Sequence, residues 1–189
     1  MPIPRMTRFL TRTAILLALT LVFQVFGRDL AIGIGLGAFQ NFLVGPLVNL
    51  CLLVATAFAG IWAGVAVALL SPLGAFATGA VPEPLFLVVI AIGNLILVLA
   101  FAVADHVSES MKTHGKLLTR FAGILVGAVL KTAWLWGGIL VYSRMFAMKD
   151  SIRVAMTFAF SWPQAVTAIA GGVLALLILK PLEKALPKI

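Results

Sequence analysis

The hydrophobic positions of this chain fall into six long apolar runs separated by short polar, glycine-rich or proline-containing stretches. The runs cover about residues 10–27, 42–58, 61–80, 85–104, 119–146 and 161–180. Each is close to the roughly 20 residues that an α-helix needs to cross the hydrocarbon core of a bilayer. The pattern therefore predicts an all-α, polytopic membrane protein, with residues 1–189 forming one domain and a bundle of six transmembrane helices.

Basic residues between the runs predict the orientation of the bundle. Lys and Arg in short loops accumulate on the cytoplasmic side. With the N-terminus inside, nine basic residues lie inside and four outside. The inner set is Arg5, Arg8, Arg12, Lys112, Lys116, Arg120, Lys180, Lys184 and Lys188, and the outer set is Arg28, Arg144, Lys149 and Arg153. Both termini and the polar linker 105–118 are therefore predicted to be cytoplasmic.

Composition agrees with a membrane protein and narrows the possible partners. Hydrophobic residues make up 62% of the chain and charged residues only 11%, an apolar excess that a soluble domain of this length could not bury. The net charge of +8 is explained by basic flanks beside membrane lipid, so no nucleic-acid partner is expected. Cys51 is the only cysteine, which excludes an internal disulfide and argues against a metal site.

The N-terminal run resembles a signal peptide without a convincing cleavage site, so we expect a retained first helix.

Lys131 is the only Lys, Arg, Asp or Glu within the apolar stretch 121–142. It lies about 18 Å along a helix from Thr119, so its side chain cannot bring the ammonium to water at that end. Charges inside a membrane are costly and commonly mark functional sites. No Asp or Glu lies inside any apolar run. Three explanations stay open: a ligand supplies the missing anion, Lys131 is neutral, or it faces a wet cavity.

Other polar and aromatic residues are expected in the membrane at the depth of Lys131 or between that depth and the outer surface. On the fifth run they follow Lys131 at helical spacing, and elsewhere they come from the loop after the first run, the fourth run and the sixth run. The predicted solute-binding set is Lys131, Trp134, Gly138, Tyr142, Asn94, Gln164, Thr167, Gln40 and Asn41. The alternative is that the amides and hydroxyls only bridge helices, and that Tyr142 belongs to an interfacial aromatic belt.

Sequence signatures of catalysis and of an energy source are missing. The chain has no phosphate-binding G-x-x-x-x-G-K-[ST] loop, no H-E-x-x-H and no G-x-S-x-G. We therefore predict neither an enzyme nor a cofactor. Ion-driven carriers usually contain ionisable relays or paired discontinuous helices, and neither pattern is present. A binding cavity without its own energy source indicates that the energy comes from a partner.

The sequence resembles the substrate-binding components of energy-coupling factor (ECF) transporters. The segments that carry the resemblance open the first run and extend through the second, third and fourth. They are Arg12-Thr-Ala14-Ile-Leu-Leu-Ala18, Phe42-Leu-Val-Gly-Pro-Leu-Val-Asn49, Ala57-Phe-Ala-Gly-Ile-Trp-Ala-Gly64, Leu70-Ser-Pro-Leu-Gly74 and Ile92-Gly-Asn94. The resemblance implies capture of a vitamin-like solute outside a bacterial cell. It also implies a membrane coupling subunit and two ATPases as partners, with Ala14 and Ala18 as the docking face.

Two functional interpretations follow from the sequence. The favoured one is a high-affinity binding subunit for a small anionic solute, embedded in the bacterial cell membrane and driven by an ATP-consuming module. The alternative is a six-helix scaffold of an envelope complex, whose polar groups only pack helices together. Lys131 discriminates between them, because a scaffold should tolerate its replacement by methionine and a binder should lose its ligand.

Overall fold

The computed structural model describes residues 4–185, apart from the side chain of Ala38. Lys188, one of the inner basic residues, lies outside the described residues. The described part is helical and contains no strand, which confirms the all-α prediction. Its α-helices are α1 (Arg5–Gly33), α2 (Gln40–Val54), α3 (Ile61–Ala77), α4 (Phe86–Ser108), α5 (Thr113–Met145), α6 (Asp150–Ala159) and α7 (Pro163–Ala185).

Six stretches of the described chain can account for the six predicted spans. Five of them are long and apolar enough to cross a bilayer, and α3 is a shorter apolar helix. The five are Arg5–Gly33, Gln40–Ala59, Phe86–Ser108, Thr113–Met145 and Asp150–Ala185. Lengths and composition do not define which side each end occupies, so the N-in, C-in orientation stays a prediction.

Helix ends differ from the sequence prediction in two places. The linker expected at 105–118 shrinks to four residues, 109–112, because α4 and α5 both continue through polar residues. A separate helix, α6, occupies the charged stretch that precedes the last run. Asp150 lies in its first turn and accepts a hydrogen bond from Arg153 at 2.7 Å, and a carboxylate at that end is favoured by the helix dipole.

Glycines allow the helices of the bundle to approach closely. A side chain at Gly123 of α5 would collide with Ala104 of α4, and one at Gly127 would meet Leu97. A side chain at Gly171 of α7 would collide with the Pro46 carbonyl of α2. Close approach drives association in lipid, where apolar contact alone gives little. Gly123 and Gly127, four residues apart on one face of α5, thus allow close packing of α5 on α4.

A buried ion cluster ties together α4, α5 and α7 at the predicted inner side. The Arg120 guanidinium donates to Asp105 Oδ1 and to Glu183 Oε1, both at 2.6 Å. Lys116 lies 3.5 Å from the other oxygen of Glu183 and is more exposed. The cluster explains how Arg120 can be only 5% exposed in this apolar chain, because the two carboxylates compensate the positive charge of its guanidinium.

Removing Arg120 should destabilise the fold. Arg120→Met leaves two carboxylates close together without their main counter-charge, and breaking a buried pair in this way costs about 3–5 kcal/mol. Lys116→Met removes a more exposed partner of the same cluster and should cost about 1 kcal/mol or less. Thermal unfolding in detergent measures both. Equal effects of the two substitutions would contradict the role assigned to Arg120.

Candidate functional site: a cationic cavity within the helix bundle

A cavity of about 780 Å³ lies within the bundle, inside the range that holds small-molecule ligands. All seven helices, α1 to α7, contribute to its wall. Its polar lining includes amides from α1, α2 and α4, and part of its apolar lining comes from Ile152, Ala155 and Met156 of α6. α6 is strongly amphipathic, which explains how a short helix with charged ends can present an apolar surface to the cavity.

Lys131 reaches this cavity from α5 and is 3% exposed. Its Nζ donates to Asn49 Oδ1 at 2.7 Å and to Asn94 Oδ1 at 2.8 Å. Amide oxygens accept hydrogen bonds but carry no formal charge. The two asparagines therefore orient the ammonium and lower the cost of its burial without neutralising it. An ammonium has three N–H groups, and a bound anion would be a suitable acceptor for the remaining one.

Hydrogen bonds continue from this lysine to α1. Asn94 Nδ2 lies 3.3 Å from Ser71 Oγ, and Gln24 Nε2 donates to the Ser71 carbonyl at 3.0 Å. Gln24 fits because Gly74 has no side chain, since a Cβ there would collide with it. A connected set of polar groups thus crosses the bundle from α5 through α2, α4 and α3 to α1. These side chains are all buried and form the deepest polar part of the cavity lining, which we call its floor.

The cavity has a positive electrostatic character. Lys131 and Arg28 are among its lining residues, whereas no aspartate or glutamate is among the described residues that line it. A cavity that is lined by charges of one sign and has low-dielectric walls concentrates solutes of the opposite charge. The lining therefore favours an anionic solute over a neutral or cationic one.

Five of the predicted site residues lie together around this cavity. Lys131 and Asn94 meet at its floor, and Gln164 of α7 lines its wall while donating to the Ala159 carbonyl at 2.9 Å. Gln40 and Asn41 line it from the first turn of α2. Residues that are far apart in sequence thus line one cavity, although the sequence alone could not show that they do.

The other four predicted site residues are not among the lining residues of this cavity. Trp134 is 40% exposed and donates to the Val89 carbonyl at 2.9 Å. A side chain at Gly138 would collide with Val89, so this glycine serves the packing of α4 on α5. Tyr142 donates to Glu83 Oε2 at 3.0 Å, and Thr167 packs against Gly45. The expected cavity position of Trp134 is therefore not found in the structure.

Helix α1 presents a row of exposed small and apolar side chains on the outside of the bundle. Ala14 and Ala18, one turn apart, are both exposed, and Ile15 and Leu19 flank them with 59% and 37% exposure. The opposite face of α1 buries Thr20, Gln24 and Gly27. The proposed docking alanines therefore point away from the cavity, where another helix could reach them.

Comparison with known protein families shows which family this sequence matches. The sequence matches the family described as "ECF transporter, substrate-specific component" over residues 8–183. This chain belongs to that family. Searches of curated proteins and of solved structures gave no match. Family membership favours the transporter interpretation over the scaffold, and the substrate-specific component is a multi-pass membrane subunit that binds the transported solute.

Several cavity residues of this substrate-specific component were not identified from the sequence. Asn49, Ser71, Gln24 and Arg28 all line the cavity. Asn49 and Gln24 were visible as polar residues within apolar runs, a weaker form of the signal that singled out Lys131. Which of these polar positions meet depends on the rotation of each helix, and hydropathy does not determine that rotation.

Tryptophan fluorescence can test where the solute binds. Trp162 stacks edge-on against Phe158, a cavity residue, with ring centroids 6.0 Å apart, while Trp134 lies outside the cavity lining. We expect Trp162→Phe to remove more of the ligand-induced fluorescence change than Trp134→Phe, because indole emission responds to its immediate surroundings. The reverse order would move the binding site toward the α4–α5 surface.

Proposed function

We propose that this substrate-specific component captures a small, anionic, vitamin-like solute from outside a bacterial cell and delivers it to an ATP-driven ECF module. The observation that carries the proposal is the buried Lys131, held by two amide oxygens and open to a cavity without a carboxylate in its described lining. The proposed binding residues are Lys131, Asn94, Asn49, Gln40, Asn41 and Gln164.

The anionic character of the solute follows from charge balance. A cation removed from water is stabilised far better by an ion than by neutral dipoles, provided that hydrogen bonds are kept. A carboxylate next to Lys131 would accept from its ammonium and from nearby amide N–H groups. Such charge-assisted hydrogen bonds are short and stronger than neutral ones. They would give high affinity with few polar contacts in a largely apolar cavity.

The energy for uptake is proposed to come from partners. The sequence has no phosphate-binding loop, so this subunit binds its solute and relies on ATPases for work. Family membership implies a membrane coupling subunit and two ATPases as the module. We propose that the coupling subunit contacts α1 at Ala14 and Ala18, whose small side chains would let a partner helix approach closely.

Reconstitution tests the transport function. Vesicles containing the subunit, the coupling subunit and both ATPases should accumulate the solute when ATP is supplied on the ATPase side. Vesicles containing the subunit alone should bind solute without concentrating it, because binding energy by itself cannot maintain a gradient. Concentrative uptake by the subunit alone would contradict the proposal that the ATPases supply the energy for transport.

A further inference from the structure

Arg28 is a second cation of the cavity that the binding site described above does not use. It lies on α1 one turn after Gln24, so both side chains occupy the same face of the helix. It lines the same cavity as Lys131 and is half-buried. Its two terminal nitrogens lie 3.8 Å from the point where a side chain on Gly79 would begin. The guanidinium thus crosses from α1 toward the turn that follows α3.

Five of the six acidic side chains of the described chain have partners other than Arg28. Asp105 and Glu183 pair with Arg120, Asp150 pairs with Arg153, Glu83 accepts from Tyr142, and Glu109 lies 3.8 Å from His106. Asp29 is exposed and follows Arg28 directly in the helix, and adjacent helical residues do not face each other. A guanidinium in a cavity wall with five N–H donors is suited to bind a carboxylate or phosphate in bidentate geometry.

We propose that Arg28 is a second anion-binding residue, and that the solute carries two separate acidic groups. One would bind Lys131 at the cavity floor, and the other would bind Arg28 in a less buried part of the lining. The inference rests on the proposed function and deepens it by naming the solute class, an organic diacid. Arg28 lies one turn, about 6 Å, along α1 from Gln24, which belongs to the floor. The two acid groups would therefore be joined by a spacer and not carried on neighbouring atoms.

Matched pairs of probes can test this diacid class. The full chain is purified in an uncharged maltoside detergent and titrated with linear dicarboxylates from succinate to azelate, each paired with its monomethyl ester. Binding is followed by calorimetry and by thermal stabilisation. We expect at least one dicarboxylate to bind at least about tenfold more tightly than its monoester, because the ester cannot form the second charged hydrogen bond.

Two substitutions test whether Arg28 causes the tighter binding of the dicarboxylate. Arg28→Gln should reduce affinity for the best diacid by about tenfold or more and leave affinity for its monoester unchanged. Arg144→Gln is the matched control, because Arg144 is an exposed basic residue of the predicted outer side that does not line the cavity. It removes the same charge and should leave both affinities unchanged.

Four results would overturn the inference. Monoesters that bind as tightly as the diacids would show a single anion site and leave the proposed function standing. Failure of every dicarboxylate and monoester to bind would remove the proposed anion site as well. Equal losses in the Arg28 and Arg144 variants would indicate only a general charge effect. If Arg28→Gln lowered only the amount of co-purified phosphatidylglycerol, Arg28 would be a lipid contact.

Discussion

Replacing Lys131 by alanine should weaken binding of the transported solute by well over tenfold. The solute's anionic group would remain in a desolvated cavity without its counter-charge, and stranding a buried ion in this way costs several kcal/mol. The measurement is calorimetric titration of the purified subunit with the solute that co-purifies with it. Lys149→Ala is the control, because it removes an exposed positive charge away from the cavity lining.

Lys131→Met separates this account from a purely structural one. Both variants leave Asn49 and Asn94 without their shared donor, so the fold itself changes in stability. A structural lysine would show only that change, and replacement by an apolar residue could even stabilise the bundle. A binding lysine should lose affinity whether or not stability falls. Unchanged affinity in both variants would contradict the anionic solute.

Replacing Ala14 and Ala18 together by leucine should abolish ATP-dependent uptake and preserve solute binding. Both alanines are exposed on α1 and lie outside the cavity lining, so the substitution should leave the site intact. The added side chains would hold a partner helix away from α1, and helix association in lipid depends on close packing. Uptake is measured in vesicles that contain the coupling subunit and both ATPases, and binding is measured in detergent.

A leucine elsewhere on the surface provides the control for this substitution. Ala122 is exposed on α5, and Ala122→Leu adds similar apolar bulk to a different face, so we expect normal uptake. Uptake that survives the Ala14 and Ala18 double substitution would leave the transporter function intact and move the docking face away from α1. Loss of solute binding in the double variant would show that α1 transmits the change to the cavity.

The helical architecture could be predicted from sequence because one strong physical rule governs it. Backbone groups in lipid must be satisfied within the segment, so long apolar runs become helices. The six runs therefore correspond to the apolar helical stretches, including the shorter α3. Helix ends were harder to predict: α4 and α5 extend into polar residues, because water tolerates a helix there without requiring one.

The floor of the site was predictable in part, for a similar reason. Lys131 and Asn94 stand out because polar groups in apolar runs are costly and need partners. Trp134 shows the limit of such reasoning. It lies three positions after Lys131, about 60° away around the helix, and the buried side of α5 turns instead toward Leu135 and Ile139. Packing against α4 sets that rotation, and a single sequence does not contain it.

Arg28 shows a second limit. In the sequence it appears as one of the basic residues that flank a membrane run, and its charge contributes to the predicted orientation. Its position in the cavity wall follows from α1 continuing to Gly33, several residues beyond the apolar run. An interfacial arginine and a ligand-binding arginine therefore look alike until the length and rotation of the helix are known.

Mass spectrometry of small molecules that co-purify with the subunit tests the central claim most directly. The wild-type protein and the Lys131→Met variant are purified side by side in detergent, denatured, and their released solutes compared. We expect an anionic organic solute in near-stoichiometric amount with the wild type and its loss from the variant. An equal amount of the same solute in both proteins, or a cationic solute in the wild type, would contradict binding at the Lys131 cavity.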